Sequence, residues 1–71
     1  MDKAYYKIIA KNIIKSFNLK TKIRFKNKLK HKAFYNVEQD IIYLNSNIFN
    51  DKIEFYKSLL HEIKHALDRQ E

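Results

Sequence analysis

The sequence of 71 residues contains no cysteine, no glycine and no proline. Without cysteine the chain can form neither disulfide bonds nor a thiolate metal site. Without glycine and proline, its turns must be built from Asn, Asp, Ser and Lys, which adopt turn geometries at a greater cost. No apolar run approaches the roughly 20 residues of a membrane span, and no segment resembles a secretory signal peptide. We therefore expect an intracellular, cytoplasmic protein without a membrane span.

Length and charge limit the protein further. A chain of this size predicts a single domain, residues 1–71, whose hydrophobic core alone gives little stability, so a bound metal ion would help to stabilise it. The formal net charge of +7 suits nucleic acid or another anionic surface. Lysine, asparagine and isoleucine are abundant along the whole chain, however, and we interpret the charge as a general bias of composition. A nucleic-acid partner is therefore not favoured.

The N-terminal part has the pattern of an amphipathic helix. Apolar residues recur at helical spacing from about residue 3 to residue 17, and Asp2 is the expected N-cap. Lysines at every fourth position, Lys3 to Lys15, form a basic ridge that we interpret as the solvated face. The predicted buried face consists of Tyr5, Ile9, Ile13 and Phe17, widened by Ile8 and Ile14.

The middle of the chain changes to a period of two. Basic residues occupy the even positions from Lys20 to Lys32, with Ile23 and Phe25 between them, which predicts a half-buried strand over residues 22–27 with a basic outer face. The basic residues are not interleaved with an aromatic platform that could stack bases, so a solvated sheet face is the expected interpretation. Two further strands are predicted over residues 32–37 and 41–45, joined by a short hairpin loop.

A second amphipathic helix is predicted at the C-terminal end. Asn50 or Asp51 can cap it, and Glu54 in its first turn suits the helix dipole. The order of helix, three strands and helix predicts an α+β fold. The apolar stripe expected to face the core consists of Phe49, Ile53, Tyr56, Leu60, Ile63 and Leu67.

This helix contains the sequence His61-Glu62-Ile63-Lys64-His65. Residues four apart lie one turn apart on the same helix face, so His61 and His65 can direct two imidazoles at one ion. Zinc accepts imidazole nitrogen and, in catalytic sites, keeps one position for water. The carboxylate of Glu62 is placed to accept a proton from that water. The pattern thus predicts a Zn²⁺ site with a general base beside it.

Together with the strand Ile41-Ile42-Tyr43-Leu44-Asn45, this helix resembles the upper half of a zincin metallopeptidase. The stretch from Ala33 to Asn45 is similar to small SprT-like, ImmA-like and minigluzincin-like zincins, whereas His61-Glu62-x-x-His65-Ala66-x-Asp68 also resembles mitochondrial inner-membrane zincins. The resemblance implies that His61 and His65 bind zinc, that Glu62 is the general base and later the acid, and that a peptide substrate lies along the third strand as an edge strand.

The third protein ligand departs from this pattern. Zincins supply it downstream, and Glu71 stands six residues after His65, but Asp68 occupies the place of the glycine that such a spacing requires. We predict Glu71 as a candidate third ligand and Asp68 as a residue that supports His65 or as an exposed carboxylate. We therefore expect a single zincin-like domain that either is a fragment of a longer zincin, lacking a C-terminal subdomain, or has its site completed by a second copy.

The functional hypothesis from sequence is a zinc-dependent peptidase, or its metal-binding half, acting on a peptide or protein substrate. One alternative is a basic zincin-like binding module without activity that contacts nucleic acid or an acidic protein. Another is a regulatory mini-protein in which the histidines are structural.

Overall fold

The computed structural model describes residues 3–47 and 51–69. The elements, in chain order, are α1 (Lys3–Ser16), β1 (Lys22–Lys26), β2 (Ala33–Asn36), β3 (Ile41–Asn45) and α2 (Lys52–Arg69). The predicted α+β order of helix, three strands and helix is confirmed. The expected bounds of α1, β1 and β2 are too long by one residue at one or both ends, and those of β3 agree with the structure.

The three strands form one sheet in the order β1-β3-β2. β3 pairs with β1 in parallel and with β2 in antiparallel orientation, so β3 is the central strand. The predicted hairpin between β2 and β3 is confirmed. The expectation that the third strand lies at an edge is wrong, because the chain crosses from β1 to the far side of the sheet before the hairpin returns β3 to the middle. The edge strands are β1 and β2.

Asn45, at the end of β3, secures the segment that crosses from β1 to β2. Its main-chain N–H donates to the carbonyl of Lys32 at 2.8 Å, and its side-chain amide donates to the carbonyl of Leu29 at 3.2 Å. These bonds satisfy carbonyl groups of a segment that has no regular partner strand. Asn45 therefore holds the crossing segment at the end of the sheet, and the ion pair between Lys32 and Glu54 ties the same segment to α2.

Turns without glycine rely on two residues with left-handed backbone conformation. Asn18, with φ 58°, follows α1, and Asp40, with φ 55°, ends the hairpin loop. Asparagine and aspartate tolerate this region better than other residues with a Cβ atom, because their short polar side chains can hydrogen-bond locally. The sequence-based expectation that Asn and Asp form the turns is confirmed at both positions.

Both helices pack on one face of the sheet and contact each other. The rings of Tyr6 and Phe55 meet edge to face with their centroids 4.8 Å apart. The sheet contributes its core-facing side chains, among them Ile23, Ile42 and Leu44. The buried core is one cluster comprising Tyr6, Ala10, Ile14, Leu19, Ile23, Tyr35, Ile42, Leu44, Phe55, Leu59, Ile63 and Ala66.

The predicted buried face of α1 is wrong in its rotation about the helix axis. Tyr5, Ile8 and Phe17 are exposed, and Ile9 and Ile13 are partly buried. The expectation for Ile14 is confirmed, and with Tyr6 and Ala10 it forms the fully buried row. The two rows have the same four-residue spacing and differ by one position. Periodicity gives the spacing of a buried face but not which of two adjacent rows faces the sheet. In α1 it is the row that contains the small residue Ala10.

The stripe predicted for α2 is wrong for the same reason. Ile53 is 76% exposed and Leu60 is 47% exposed, and Tyr56 is also exposed. The expectations for Ile63 and Leu67, which are buried and partly buried, are confirmed, and Phe49 lies outside the described residues. The buried row is Phe55, Leu59, Glu62, Ile63 and Ala66. This row turns Glu62, instead of Leu60, toward the body of the protein.

No helix in the described part of the chain combines the length and the apolar character needed to cross a membrane.

Candidate metal centre and cleft

Helix α2, which carries the histidines, begins with a well-formed cap. The carboxylate of Asp51 accepts hydrogen bonds from the main-chain N–H groups of Ile53 at 3.0 Å and Glu54 at 3.2 Å. These bonds satisfy donors that the first turn of a helix leaves unpaired. Of the two caps expected from sequence, Asp51 is confirmed, and Asn50 lies outside the described residues. The cap fixes where the helix starts.

His61 and His65 lie side by side on the exposed surface of α2. Their Nε2 atoms are 3.3 Å apart, and the rings are nearly perpendicular, with an interplanar angle of 84°. Two imidazole nitrogens bound to one tetrahedral zinc at roughly 2.0–2.1 Å stand about 3.3 Å apart. The observed separation therefore fits two ligands of a zinc ion. Without metal, the same separation allows one ring to donate an N–H to the other.

Glu62 is buried although its side chain is polar, with 8% of its surface exposed. It lines two clefts beside α2, one of about 360 Å³ that it shares with His61 and one of about 610 Å³ that it shares with His65. Glu62 therefore borders both clefts, one with each histidine. A buried carboxylate that can reach a cleft is suited to exchanging protons with a bound molecule.

The other wall of both clefts is the edge strand β2. Ala33 lines both of them, Phe34 and Tyr35 line the larger one, and Val37, just after the strand, also borders it. β2 pairs with β3 on one side, and none of the described strands pairs with its other side. The edge next to the candidate site is consequently β2 and not β3, which corrects the strand on which a substrate was expected to lie.

A network that the sequence did not reveal supports this wall. Oδ1 of Asp40 accepts hydrogen bonds from the hydroxyl groups of Thr21 at 2.8 Å and Tyr35 at 2.7 Å. Nε of Arg69, in the last turn of α2, donates to the carbonyl of Val37 at 3.0 Å. The five residues come from the segment before β1, from β2, from the hairpin loop and from α2, so no local pattern could connect them.

This network shifts two pKa values. Burial, the hydrogen bond to Asp40 and the charge of Asp40 raise the pKa of Tyr35 to about 12, against a smaller opposite effect of Arg69. Burial alone would raise the pKa of Asp40, but the hydrogen bonds from Tyr35 and Thr21 and the charge of Arg69 outweigh it and lower that pKa below its usual value. Asp40 is therefore an ionised anchor and Tyr35 a neutral donor at neutral pH.

The remaining predicted site residues are Asp68 and Glu71. Asp68 is exposed and lines the larger cleft with His65, but among the described residues no hydrogen bond joins it to either histidine. Glu71 lies outside the described residues. Within residues 3–47 and 51–69, no three His, Asp or Glu side chains are grouped so that they could hold a metal together. The roles predicted for Asp68 and Glu71 stay predictions.

Comparison with known families decides the assignment. The model of the family MPTase-PolyVal, described as zincin-like metallopeptidase, matches residues 10–71. The chain belongs to this family. The match covers the sheet and the whole of α2, so the zincin resemblance derived from α2 is confirmed at the level of the family. Neither curated proteins nor solved structures gave a significant match.

Membership of the zincin-like metallopeptidases agrees with the α+β fold and implies zinc as the metal of such a site. The residues present fit that metal at two positions, His61 and His65, through the 3.3 Å separation of their Nε2 atoms. Glu62 directly follows His61 in the chain, and β2 borders the clefts that these residues line.

Proposed function

We propose that the protein is a zinc-dependent peptidase in which His61 and His65 bind the metal and Glu62 is the general base. The observation that carries this proposal is the pairing of two imidazole nitrogens 3.3 Å apart with a buried carboxylate between two clefts. Two exposed histidines would not by themselves account for a buried glutamate in the adjacent position of the helix. The family match supports the same chemistry.

The bound zinc would polarise the peptide carbonyl and make a coordinated water more acidic. Glu62 accepts a proton from the attacking water while the water oxygen bonds to the carbonyl carbon. The same carboxyl group then gives the proton to the amide nitrogen as the C–N bond breaks, which leaves a free carboxylate and an amine. The burial of Glu62 limits competing contact of its side chain with solvent.

The substrate in this proposal is an extended peptide segment that lies along β2. The free edge of a β-strand offers main-chain N–H and C=O groups to an added strand, which binds a peptide without regard to most of its side chains. β2 borders both clefts that contain Glu62. A peptide bond crossing between these clefts would pass the histidines and the general base.

The coordination of the metal also requires a third ligand, since catalytic zinc sites normally have three protein ligands and one water. We propose Glu71, or a carboxylate of a second copy, for this position. A site with His61 and His65 as its two protein ligands would bind zinc weakly. Replacing Glu71 with Gln therefore separates the cases, because a large loss of zinc affinity identifies Glu71 and an unchanged affinity points to another chain or to water.

The test combines metal binding and hydrolysis in one set of variants. Zinc affinity is measured by competition with a chromogenic chelator, and peptidase activity with a quenched fluorescent peptide library. His61→Ala should lose zinc, whereas the matched control His31→Ala, which changes an exposed histidine of the crossing segment, should keep it.

Glu62→Gln should keep zinc binding and lose hydrolysis, because the amide has the shape of the carboxylate without its basicity. An equally active Glu62→Gln variant would contradict the assignment of the base. Zinc affinity that is the same in the parent, His61→Ala and His31→Ala would contradict the metal site.

A further inference from the structure

The face of the sheet that points away from both helices carries a row of aromatic and basic side chains. Register places Arg24, Tyr43 and Phe34 next to one another across the three strands. Lys22 and Lys26 lie on the same side of β1 as Arg24, and all three basic side chains are exposed. The sequence-based expectation that this face lacks an aromatic platform is wrong, because the aromatic residues come from β2 and β3 and not from the basic strand itself.

The aromatic rings on this face are ordered as a stack. Phe34 and Tyr43 are nearly parallel, with an interplanar angle of 18° and centroids 6.3 Å apart. Nζ of Lys26 lies over the Tyr43 ring at 4.6 Å from its centroid. The hydroxyl of Tyr43 donates to Gln39 at 3.1 Å, which fixes the ring further. The stack ends in Phe34, which is 45% exposed.

The open face of the sheet is basic and has no acidic side chain of its own. The strands contain no Asp or Glu, whereas α2 has Glu54, Glu62 and Asp68 among basic residues, and α1 is basic throughout. In the described part of the chain, Lys22 and Arg24 take part in no ion pair. At the edge of β1 the basic area continues to Lys7 of α1, which lines a shallow cleft with Arg24. The open sheet face is thus positive, and at the β2 edge it reaches the larger cleft, which Phe34 also lines.

We propose that this face, defined by Lys22, Arg24, Lys26, Phe34 and Tyr43, binds single-stranded nucleic acid. An unpaired base can continue the stack by lying on Phe34, as bases do on exposed aromatic rings. Phosphate groups on either side of that base can reach Lys22 and Arg24. A paired duplex has no free base that could lie on Phe34. An anionic membrane would be attracted by the charge but would gain nothing from the parallel rings of Phe34 and Tyr43. The high positive charge opposes pairing of this face with a second copy.

The experiment measures fluorescence anisotropy of a labelled oligothymidine of about 12 nucleotides, a length within the usual site size of a single small domain. The parent protein should bind this oligonucleotide with an affinity that falls as salt rises. Lys22→Gln with Arg24→Gln should weaken binding and make the slope of log affinity against log salt shallower by about 1.4, since each phosphate contact on a single strand contributes about 0.7.

The matched charge control is Lys11→Gln with Lys15→Gln on the exposed side of α1. Both double variants lower the formal net charge by two, from +7 to +5. Because Lys11 and Lys15 are not on the sheet face, the control should keep most of the affinity and a steeper salt slope than the sheet variant. Equal losses in the two double variants would show a simple attraction between polyions and overturn the proposal.

The aromatic test is Phe34→Ala, for which we expect a loss of about 5- to 150-fold in affinity from the removal of one stacking partner. Phe34→Leu keeps an apolar side chain at the edge strand and should also lose affinity, so failure of the alanine variant to fold would not leave the question open. Phe17→Ala changes an exposed ring away from the sheet and should bind like the parent.

Three further outcomes would overturn the proposal. They are no binding of the oligothymidine at low salt, equal affinity for a duplex of the same length, and binding to vesicles containing phosphatidylserine without binding to the oligonucleotide. Because metal-free protein is used throughout, none of these results depends on the peptidase proposal.

Discussion

Asp40 is the residue whose replacement we expect to affect stability most for its size. Its side chain accepts hydrogen bonds from Thr21 and Tyr35, its main-chain carbonyl accepts one from Lys22 at 3.1 Å, and its φ is 55°. Alanine loses both side-chain bonds and disfavours this φ. Hydrogen bonds to a charged group contribute about 1.5–3 kcal/mol each when buried, and a left-handed alanine costs about 1 kcal/mol.

Because the network is only partly buried, we expect Asp40→Ala to lower the free energy of unfolding by about 3–5 kcal/mol. A domain of this length has a total stability of about 4–10 kcal/mol, so the variant should be close to unfolding. Asp40→Asn is the matched control, because asparagine tolerates the same φ and keeps an acceptor oxygen, and it should cost about 1–2 kcal/mol. Urea unfolding followed by far-UV circular dichroism measures both.

The same network gives the stability a defined dependence on pH. The lowered pKa of Asp40 means that its contribution is present above the usual value of 3.8 and is lost as pH falls through the lowered pKa. The raised pKa of Tyr35 means that its contribution is present below about pH 10 and is lost as pH rises toward about 12. A loss below about 1 kcal/mol in Asp40→Ala, or an unchanged acid limb in Asp40→Asn, would refute this reasoning.

Three other predictions follow from the packing and the candidate site. Leu59→Ala should lower the free energy of unfolding by about 2–5 kcal/mol and Leu60→Ala by less than about 1 kcal/mol, because Leu59 is fully buried and Leu60 is 47% exposed; equal losses in urea unfolding would contradict the observed rotation of α2. Asn45→Ala should cost about 1 kcal/mol through the lost bond to Leu29 and should speed amide exchange in the crossing segment, which hydrogen-exchange measurements check. Zinc should raise the Tm, and acidification should reduce that rise, because protonated imidazoles cannot coordinate metal; identical melting curves with zinc and with chelator would contradict metal binding.

The positions of the helices and strands could be predicted from the sequence better than which face of each helix is buried. The change from helical spacing to alternation at Asn18 located α1 and β1, and the short polar stretch before Asp40 located the hairpin. The phase of both helices was wrong because α1 and α2 are apolar on more than one row. Local periodicity cannot select between rows of equal spacing, since the choice depends on which row the sheet accommodates.

Part of the candidate site could likewise be predicted from the sequence, and part could not. His61, Glu62 and His65 could be found because their relation is local to one helix turn. Which strand lies next to them could not be predicted, because it depends on the strand order β1-β3-β2. No local sequence pattern indicates that the chain crosses the sheet between β1 and β2. The Asp40 network and the stack of Phe34 on Tyr43 were missed for a similar reason, as each joins residues through sheet register or tertiary contact.

The central claim is that one zinc ion is bound by His61 and His65. X-ray absorption at the zinc edge, recorded on protein loaded with one equivalent of zinc, counts imidazole ligands through the scattering from the outer atoms of the ring. We predict two imidazoles with Zn–N distances of about 2.0–2.1 Å and the remaining positions filled by oxygen. A spectrum that shows fewer than two imidazole ligands would contradict the account. So would a spectrum of the double variant His61→Ala and His65→Ala that is identical to that of the parent.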